Sequence, residues 1–240
     1  MRWKQSMNDF VLALAGASLF ARASGALWWP ERHLLVVSDL HLGKAERIAR
    51  RGGTLLPPYD TAETLSRLED EVAHTSPATV ICLGDSFDDD RAAGMLPPGL
   101  EERLLRLMAG RHWVWIAGNH DPGPTLPGGT QKAELYEAPL TFRHEAEADC
   151  VAEVSGHFHP KATLPIGGRR VSRPCFLADD RRIILPAFGA YTGGLAANAP
   201  ALSALMGPGA IAVLTGPRIC ALPLAAITGS SRPARVDRCG

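Results

Sequence analysis

Apolar runs that spill into polar loops, alternating with amphipathic stretches, predict an α/β domain with helices covering a mainly parallel sheet. Three segments carry that expectation: "HLLVVSDLHLG" (33–43), "TVICLGD" (79–85) and "HWVWIAGNHD" (112–121). Each runs from apolar or β-branched residues into polar ones, as a buried strand does when it opens into a loop. Helical periodicity fills the spaces between them, and strand–helix–strand at this spacing builds βαβ units. With 240 residues, 46% of them hydrophobic, the chain can bury a full core.

The elements follow in order. "MRWKQSMNDFVLALAGASLFARASG" has the basic, apolar and small residues of a signal peptide. Its apolar run from Phe10 to Phe20 is too short to span a membrane, contains Gly16, and has Asn8 and Asp9 at its mouth. We read it as mature structure, with Ser18–Trp29 a hairpin turning at Ser24–Gly25. After the first buried strand, the basic "KAERIARRGG" stops at Gly52–Gly53. "DTAETLSRLEDEVAHT" (60–75) has Asp60 and Glu63 at capping-box spacing, then Leu65, Leu68 and Val72 on one helical face. "LEERLLRLMAG" (100–110) turns Leu100, Leu104, Leu107 and Met108 inward and ends at Gly110.

Beyond a Pro/Gly-rich loop (121–130) the chain is β-rich: "LTFRH" (140–144), "CVAEVSGHFH" (150–159), "RRIILPAFG" (181–189) and "AIAVLTG" (210–216). We expect one domain over 1–228 and a frayed tail over 229–240. There is no internal repeat and no transmembrane helix. Lys plus Arg and Asp plus Glu both number 25, so no global field draws the chain to nucleic acid or to a membrane surface. The five cysteines are odd in number and lack a CxxC pair, which argues against a disulfide framework and for a reducing, cytoplasmic setting. Cys82, inside an apolar run, reads as a buried thiol.

Histidine and aspartate recur where the predicted strands end. Asp39 and His41 stand two apart, so on an extended strand both point to one face. Asp85, then Asn119 and His120, then His144, then the pair His157 and His159 follow. Any one of these alone is an ordinary turn or strand-end residue. Together they mark the carboxyl ends of strands, where open α/β sheets hold their ligands. Imidazole, carboxylate and amide oxygen suit Mn²⁺, Fe or Zn²⁺, not an all-oxygen calcium site. Seven donors exceed the needs of one ion, but two ions about 3.5–4 Å apart can share a bridging carboxylate and clamp a phosphoryl group. A histidine that is not a ligand can then protonate the leaving oxygen.

These motifs, DxH (39–41), GD (84–85), GNHD (118–121), His144 and GHxH (156–159), resemble the five-part signature of the calcineurin-like metallophosphoesterases. "LPPYDT" (56–61), "WIAGNHDP" (115–122), "RPCF" (173–176) and "LPAFGAYTGG" (185–194) resemble the bacterial ligase-associated DNA-damage-response endonucleases within that superfamily. The resemblance implies a four-layer αββα sandwich with a dinuclear site, manganese first and iron or zinc as alternatives. Asp39, His41, Asp85 and His159 would hold one ion. Asp85, Asn119, His144 and His157 would hold the other, with Asp85 bridging. His120 would be the catalytic, non-ligand histidine, and Asp121 would support the loop. Ligase or helicase partners are implied by the same family context.

One position departs from the pattern: "GDSFD" stands where the endonuclease group carries GDSFH, so Asp88 replaces a histidine. Phosphatase-like relatives show GDxxD, whose second aspartate orients the GNH histidine; that implies a catalytic Asp88 paired with His120, raising its pKa. Asp89 and Asp90 read as solvated loop acids. Arg47, Arg50 and Arg51, or Arg169, Arg170 and Arg173, are candidates to grip phosphates, and Tyr191 to stack on a base. Three functions stay open: a nuclease acting on DNA, a phosphatase or phosphodiesterase of a small or cyclic nucleotide, and a non-catalytic binding module. Zero net charge and Asp88 favour the second, and the complete donor set disfavours the third.

Overall fold

The computed structural model describes residues 9–50, 59–89, 92–120 and 128–227. The Gly52–Gly53 stop, most of "LPPYDT", Arg51, Asp90, Asp121 and the 229–240 tail lie outside the described residues.

The strands are β1 Asp9–Leu14, β2 Ala17–Arg22, β3 Leu27–Trp29, β4 Leu34–Val37, β5 Thr79–Leu83, β6 His112–Ile116 and β7 Thr130–Lys132, followed by β8 Glu134–Glu137 and β9 Leu140–Arg143. Then come β10 Glu153–Ser155, β11 Lys161–Ile166, β12 Arg169–Ala178, β13 Arg182–Ile184, β14 Ile211–Leu214 and β15 Cys220–Pro223. The helices are α1 Lys44–Arg50, α2 Asp60–Thr75, α3 Pro98–Met108 and α4 Pro200–Leu205.

Two sheets organise them. The first runs β1-β2-β3-β4-β5-β6-β7 and the second β15-β14-β12-β13-β10-β9-β8, with β11 hairpinned onto β12. Parallel pairing covers β4 to β7 in the first sheet and β9, β10 and β13 in the second. The expectation of a mainly parallel sheet therefore holds for β4 to β7, one half of the first sheet out to its edge, and for β13, β10 and β9 of the second; the remaining strands pair antiparallel.

Apolar side chains from both sheets meet in one core that includes Leu19, Val36, Ile81, Phe142, Val154 and Phe176. On the other face of the first sheet, Leu65, Leu68 and Val72 of α2 and Leu104, Leu107 and Met108 of α3 pack against Leu35, Val80 and Trp113. The outer face of the second sheet is covered by Leu202 of α4 and by Ile227. Helices, sheet, sheet and a thin helical cover make the four-layer sandwich.

Two local expectations change. The Phe10–Phe20 run is no single apolar segment, because Ala15 and Gly16 take positive φ (49° and 84°) and fold it into the β1–β2 hairpin. Arg22, buried, ties that hairpin to α2 through Asp9 at 2.9 Å and Glu71 at 2.6 Å. The capping box is also overturned. Tyr59 is the N-cap of α2 with no side-chain cap bond, and Asp60 Oδ2 instead accepts from the Ala45 N–H at 3.0 Å. A partner from another helix outcompetes the local one, so α2 begins against the loop that carries His41. Among the described residues no helix is long and apolar enough to cross a membrane.

Candidate metal centre

All the motif residues leave their strands at one edge of the sandwich. Asp39 and His41 follow β4, Asp85 follows β5, and Asn119 and His120 follow β6; these strands run parallel, so their carboxyl ends coincide. His144 follows β9, while His157 and His159 follow β10, again a parallel pair. The loop after β13 ties the two sheets together. Its Phe188 N–H donates to Ser38 O at 2.8 Å, and its Gly189 N–H donates to Asp39 O at 3.1 Å.

The convergence of Asp39 with His41 does not come from the strand pleat, and His157 and His159 enter different clusters and do not share one strand face. All four residues lie past the strand ends with φ between 46° and 70°, and Asp85 joins them at 45°. Left-handed backbone at non-glycine residues costs about 1–3 kcal/mol and persists only where its surroundings enforce it. Here the enforcement is visible: the loops after β4 and β5 stay zipped, with His41 N–H to Asp85 O and Leu42 N–H to Ser86 O, both 2.9 Å. Two glycines make room. A Cβ on Gly84 would lie 2.4 Å from His144 Nδ1, and one on Gly156 would lie 1.7 Å from Ser38 Oγ.

Two donor clusters result: Asp39, His41 and His159, and beside it Asp85, His144 and His157, with the ligand atoms in each within 4.8 Å of one another. In the first, His159 Nε2 is 3.1 Å from Asp39 Oδ1 and 3.4 Å from His41 Nε2. Asp39 is fully buried, and its Oδ2 accepts from the Ser38 hydroxyl at 2.5 Å and the His157 N–H at 3.0 Å. Burial pushes its carboxyl up, yet the hydrogen bond and charge of His159, with His144 and Ser38, hold it below the ordinary carboxylate value.

In the second cluster His144 Nδ1 donates to Leu83 O at 2.8 Å, which leaves the Nε2 lone pair facing inward. That atom is 3.1 Å from His157 Nδ1 and 3.6 Å from Asp85 Oδ1. The Asn119 side-chain amide completes the group, its Nδ2 position 3.3 Å from His157 Nδ1. Inward nitrogen and carboxylate atoms at this spacing suit divalent cations of borderline softness, so the donor set fits the expected ions.

His120 sits at the mouth with its side chain 47% exposed. Its N–H donates to Asp85 Oδ1 at 2.9 Å, its Nδ1 is 3.2 Å from Asp88 O, and its Nε2 is 3.9 Å from Asp85 Oδ2. The expected pairing of the Asp88 carboxylate with His120 does not occur; only the main-chain carbonyl of Asp88 meets that ring. The buried Asp88 carboxylate instead lies 3.0 Å from His41 Nδ1 and accepts a bond from Arg47 Nε. Burial pushes the Asp88 carboxyl up, and its bonds to His41 and Arg47 bring it below the ordinary value.

The remaining sequence candidates separate. Arg47 is engaged with Asp88 and so is tied to the interior. Arg50 ends α1, but its side chain, like all of Arg51, lies outside the described residues. Arg169 and Arg170 are exposed at the far tip of the β11–β12 hairpin, while Arg173 Nη1 reaches Thr215 O at 3.5 Å. Tyr191 is 54% exposed with φ 56°, beside the Gly189 contact. Asp89 is half-buried, and its carbonyl accepts from the Ala92 N–H at 2.9 Å. Sequence reasoning missed Ser38, which braces Asp39, and Glu145, whose Oε1 is 3.7 Å from His157 Nε2. Each stands next to a motif residue, and adjacency was the only available signal.

Residues 32–174 match the family model described as calcineurin-like phosphoesterase. Among solved structures, the crystal structure of Pseudomonas putida nuclease MPE is similar at a TM-score of 0.68 and 30% identity, covering 90% of this chain and 100% of that one. No curated protein sequence matches significantly.

Proposed function

Because the chain belongs to the calcineurin-like phosphoesterase family and so is a hydrolase of phosphoester bonds, we propose that it is a metal-dependent phosphodiesterase that cleaves DNA. The observation that carries this reading is the adjacency of two donor clusters, one gathered around Asp39 and one around Asp85. Asp39, His41 and His159 would hold one divalent ion, and Asn119, His144 and His157 the other, with Asp85 shared. Manganese is the first choice for this nitrogen and oxygen set, with iron or zinc as alternatives. When bound, such ions polarise the phosphoryl group and acidify water.

The chain's own residues then have distinct tasks. Asp88 holds the His41 ring from behind, and Leu83 O does the same for His144, so both present Nε2 to the site. His120, anchored through Nδ1 to Asp88 O, keeps Nε2 toward Asp85 and within reach of solvent. When the ring carries a proton on both nitrogens, Nε2 is the atom placed to give one to the leaving oxygen, while Nδ1–H stays on Asp88 O. The nuclease assignment draws on the similarity to the Pseudomonas putida nuclease over nearly the whole chain. The core thiols of Cys82 and Cys175, the latter pushed up to about 12 by burial, suit a reducing compartment such as the cytoplasm. A second reading, cleavage of a small nucleotide, is favoured by one observation: Arg47 is tied to Asp88 and so is not offered to a strand.

The test is a substrate panel. Metal-stripped protein reloaded with Mn²⁺ should cleave single- or double-stranded DNA and bis(p-nitrophenyl) phosphate; intact DNA beside a cleaved small diester would select the second reading. His120→Ala should keep its metal and lose about 10²–10⁴-fold in turnover, most for poor leaving groups. Metal loss in that variant would make His120 a ligand instead.

A further inference from the structure

A cavity of about 400 Å³ opens beside the Asp39 cluster, between α2, the β2–β3 turn and the loop after β13. Its walls include Arg67, Lys161, Glu63, Thr192, Thr215 and Tyr191. It lies at the same sheet edge as the metal centre. The start of α2 is bonded to the His41 loop through Thr61 and Asp60, and the cavity's Ala190 N–H donates to Thr64 Oγ1 at 2.9 Å. Gly189 lines the cavity while its N–H donates to Asp39 O at 3.1 Å. Lys161 follows His159 by two residues, a reach of about 7 Å of extended chain.

The charge of this cavity is unbalanced. Arg67, half-buried, donates to Phe188 O at 2.9 Å and Ser24 O at 2.6 Å and lies over the Phe188 ring at 4.6 Å. Lys161 Nζ donates one hydrogen to Thr192 O at 2.8 Å, which leaves two donors. Among the described residues neither cation forms an ion pair with a carboxylate; the exposed Glu63 and the Arg22-bound Glu71 act on Arg67 only through their fields. Two cations held by neutral carbonyls, with hydroxyls around them, are the lining of an anion site. An exposed aromatic ring, Tyr191, stands at the same wall.

We propose that this cavity is a second phosphate subsite, which holds a backbone phosphate of a nucleic-acid strand whose scissile phosphate lies at the two donor clusters. Lys161 supplies the direct contact, Arg67 a fixed positive field, and Tyr191 a face for the adjoining base. The proposal rests on the nuclease reading, and the experiment separates the two. Lys161→Ala and Lys161→Arg, Mn²⁺-loaded, are compared with wild type on single-stranded oligodeoxynucleotides and on bis(p-nitrophenyl) phosphate. Lys161→Ala should raise KM for the oligonucleotide roughly fivefold to tenfold with kcat unchanged. It should also flatten the salt dependence of binding by about 0.7 in slope, the loss of one phosphate contact. Cleavage of the small diester should not change, and Lys161→Arg should restore the slope. An unchanged slope and KM overturn the subsite while DNA cleavage by wild type preserves the nuclease reading, and an equal loss on the small diester does the same by making Lys161 a support of His159. Wild type that cleaves the small diester and neither binds nor cleaves DNA overturns the nuclease reading and the strand subsite together.

Discussion

The two donor clusters lie side by side but are braced by different chemistry. The Asp39, His41 and His159 cluster is held mostly by side chains: the Asp88 carboxylate behind His41, Arg47 behind Asp88, and the Ser38 hydroxyl on Asp39, with one main-chain bond, from the His157 N–H to Asp39. The Asp85, His144 and His157 cluster is held by main chain: Leu83 O behind His144 and the His120 N–H on Asp85. A side-chain brace can be removed or titrated one group at a time. A main-chain brace yields only when the backbone itself is moved.

The largest effect should come from Asp85, the residue we propose the two ions share. Asp85→Ala should abolish hydrolysis of bis(p-nitrophenyl) phosphate beyond the roughly 10–100-fold that outer partners cost, and should lower metal content in both positions. Retention of half the metal would show that the clusters load independently. Next, Gly84→Ala attacks the main-chain brace, because its Cβ would meet His144 Nδ1 and Gly84 has φ 76°. A destabilisation of about 1–3 kcal/mol is expected from the backbone alone, read from the urea midpoint, together with loss of metal from the Asp85 cluster. A variant as stable and as fully loaded as wild type would remove the distinction drawn between the braces.

Asp88→Asn tests the other brace with little change of shape. Metal affinity at the Asp39 cluster should fall about 10–100-fold while the Asp85 cluster keeps its ion, measured by competition titration. Equal loss at both positions would mean that the bracing is shared. The smallest effect is acid sensitivity. Asp39 and Asp88 are both held below the ordinary carboxylate value, so the stability they contribute is present above about pH 4 and is lost as pH falls through their lower folded values. Urea midpoints of metal-free protein should hold from neutral pH to about 5 and then drop, with a shallower drop in Asp88→Asn. An identical acid limb in that variant would show that Asp88 contributes nothing to it.

Much of this was legible from local pattern, because strand β4, β5 and β6 cores are continuous apolar runs and each ends at a polar motif. The donor types were legible for the same reason: chemistry restricts which side chains serve a metal. The β1–β2 hairpin was missed because Ala15 in the left-handed region is not a usual turn residue. The capping box failed because Asp60 found a better donor, Ala45 N–H, in another helix.

The candidate donors, their position at strand ends and, through the family resemblance, the phosphoesterase chemistry were thus legible in the sequence alone. Which donors share a cluster was implied in the sequence only through the family resemblance; physically the tertiary structure decides it, since His41 and His159 stand 118 positions apart and meet only when the two sheets stack. The partner of Asp88 was decided there too. Asp88 is nearer in sequence to His120 than to His41, yet the zipped loops after β4 and β5 turn its carboxylate toward His41 and leave only its carbonyl to His120. Periodicity reports which face of an element is apolar; it carries no information on how irregular loops from different strands are pressed together.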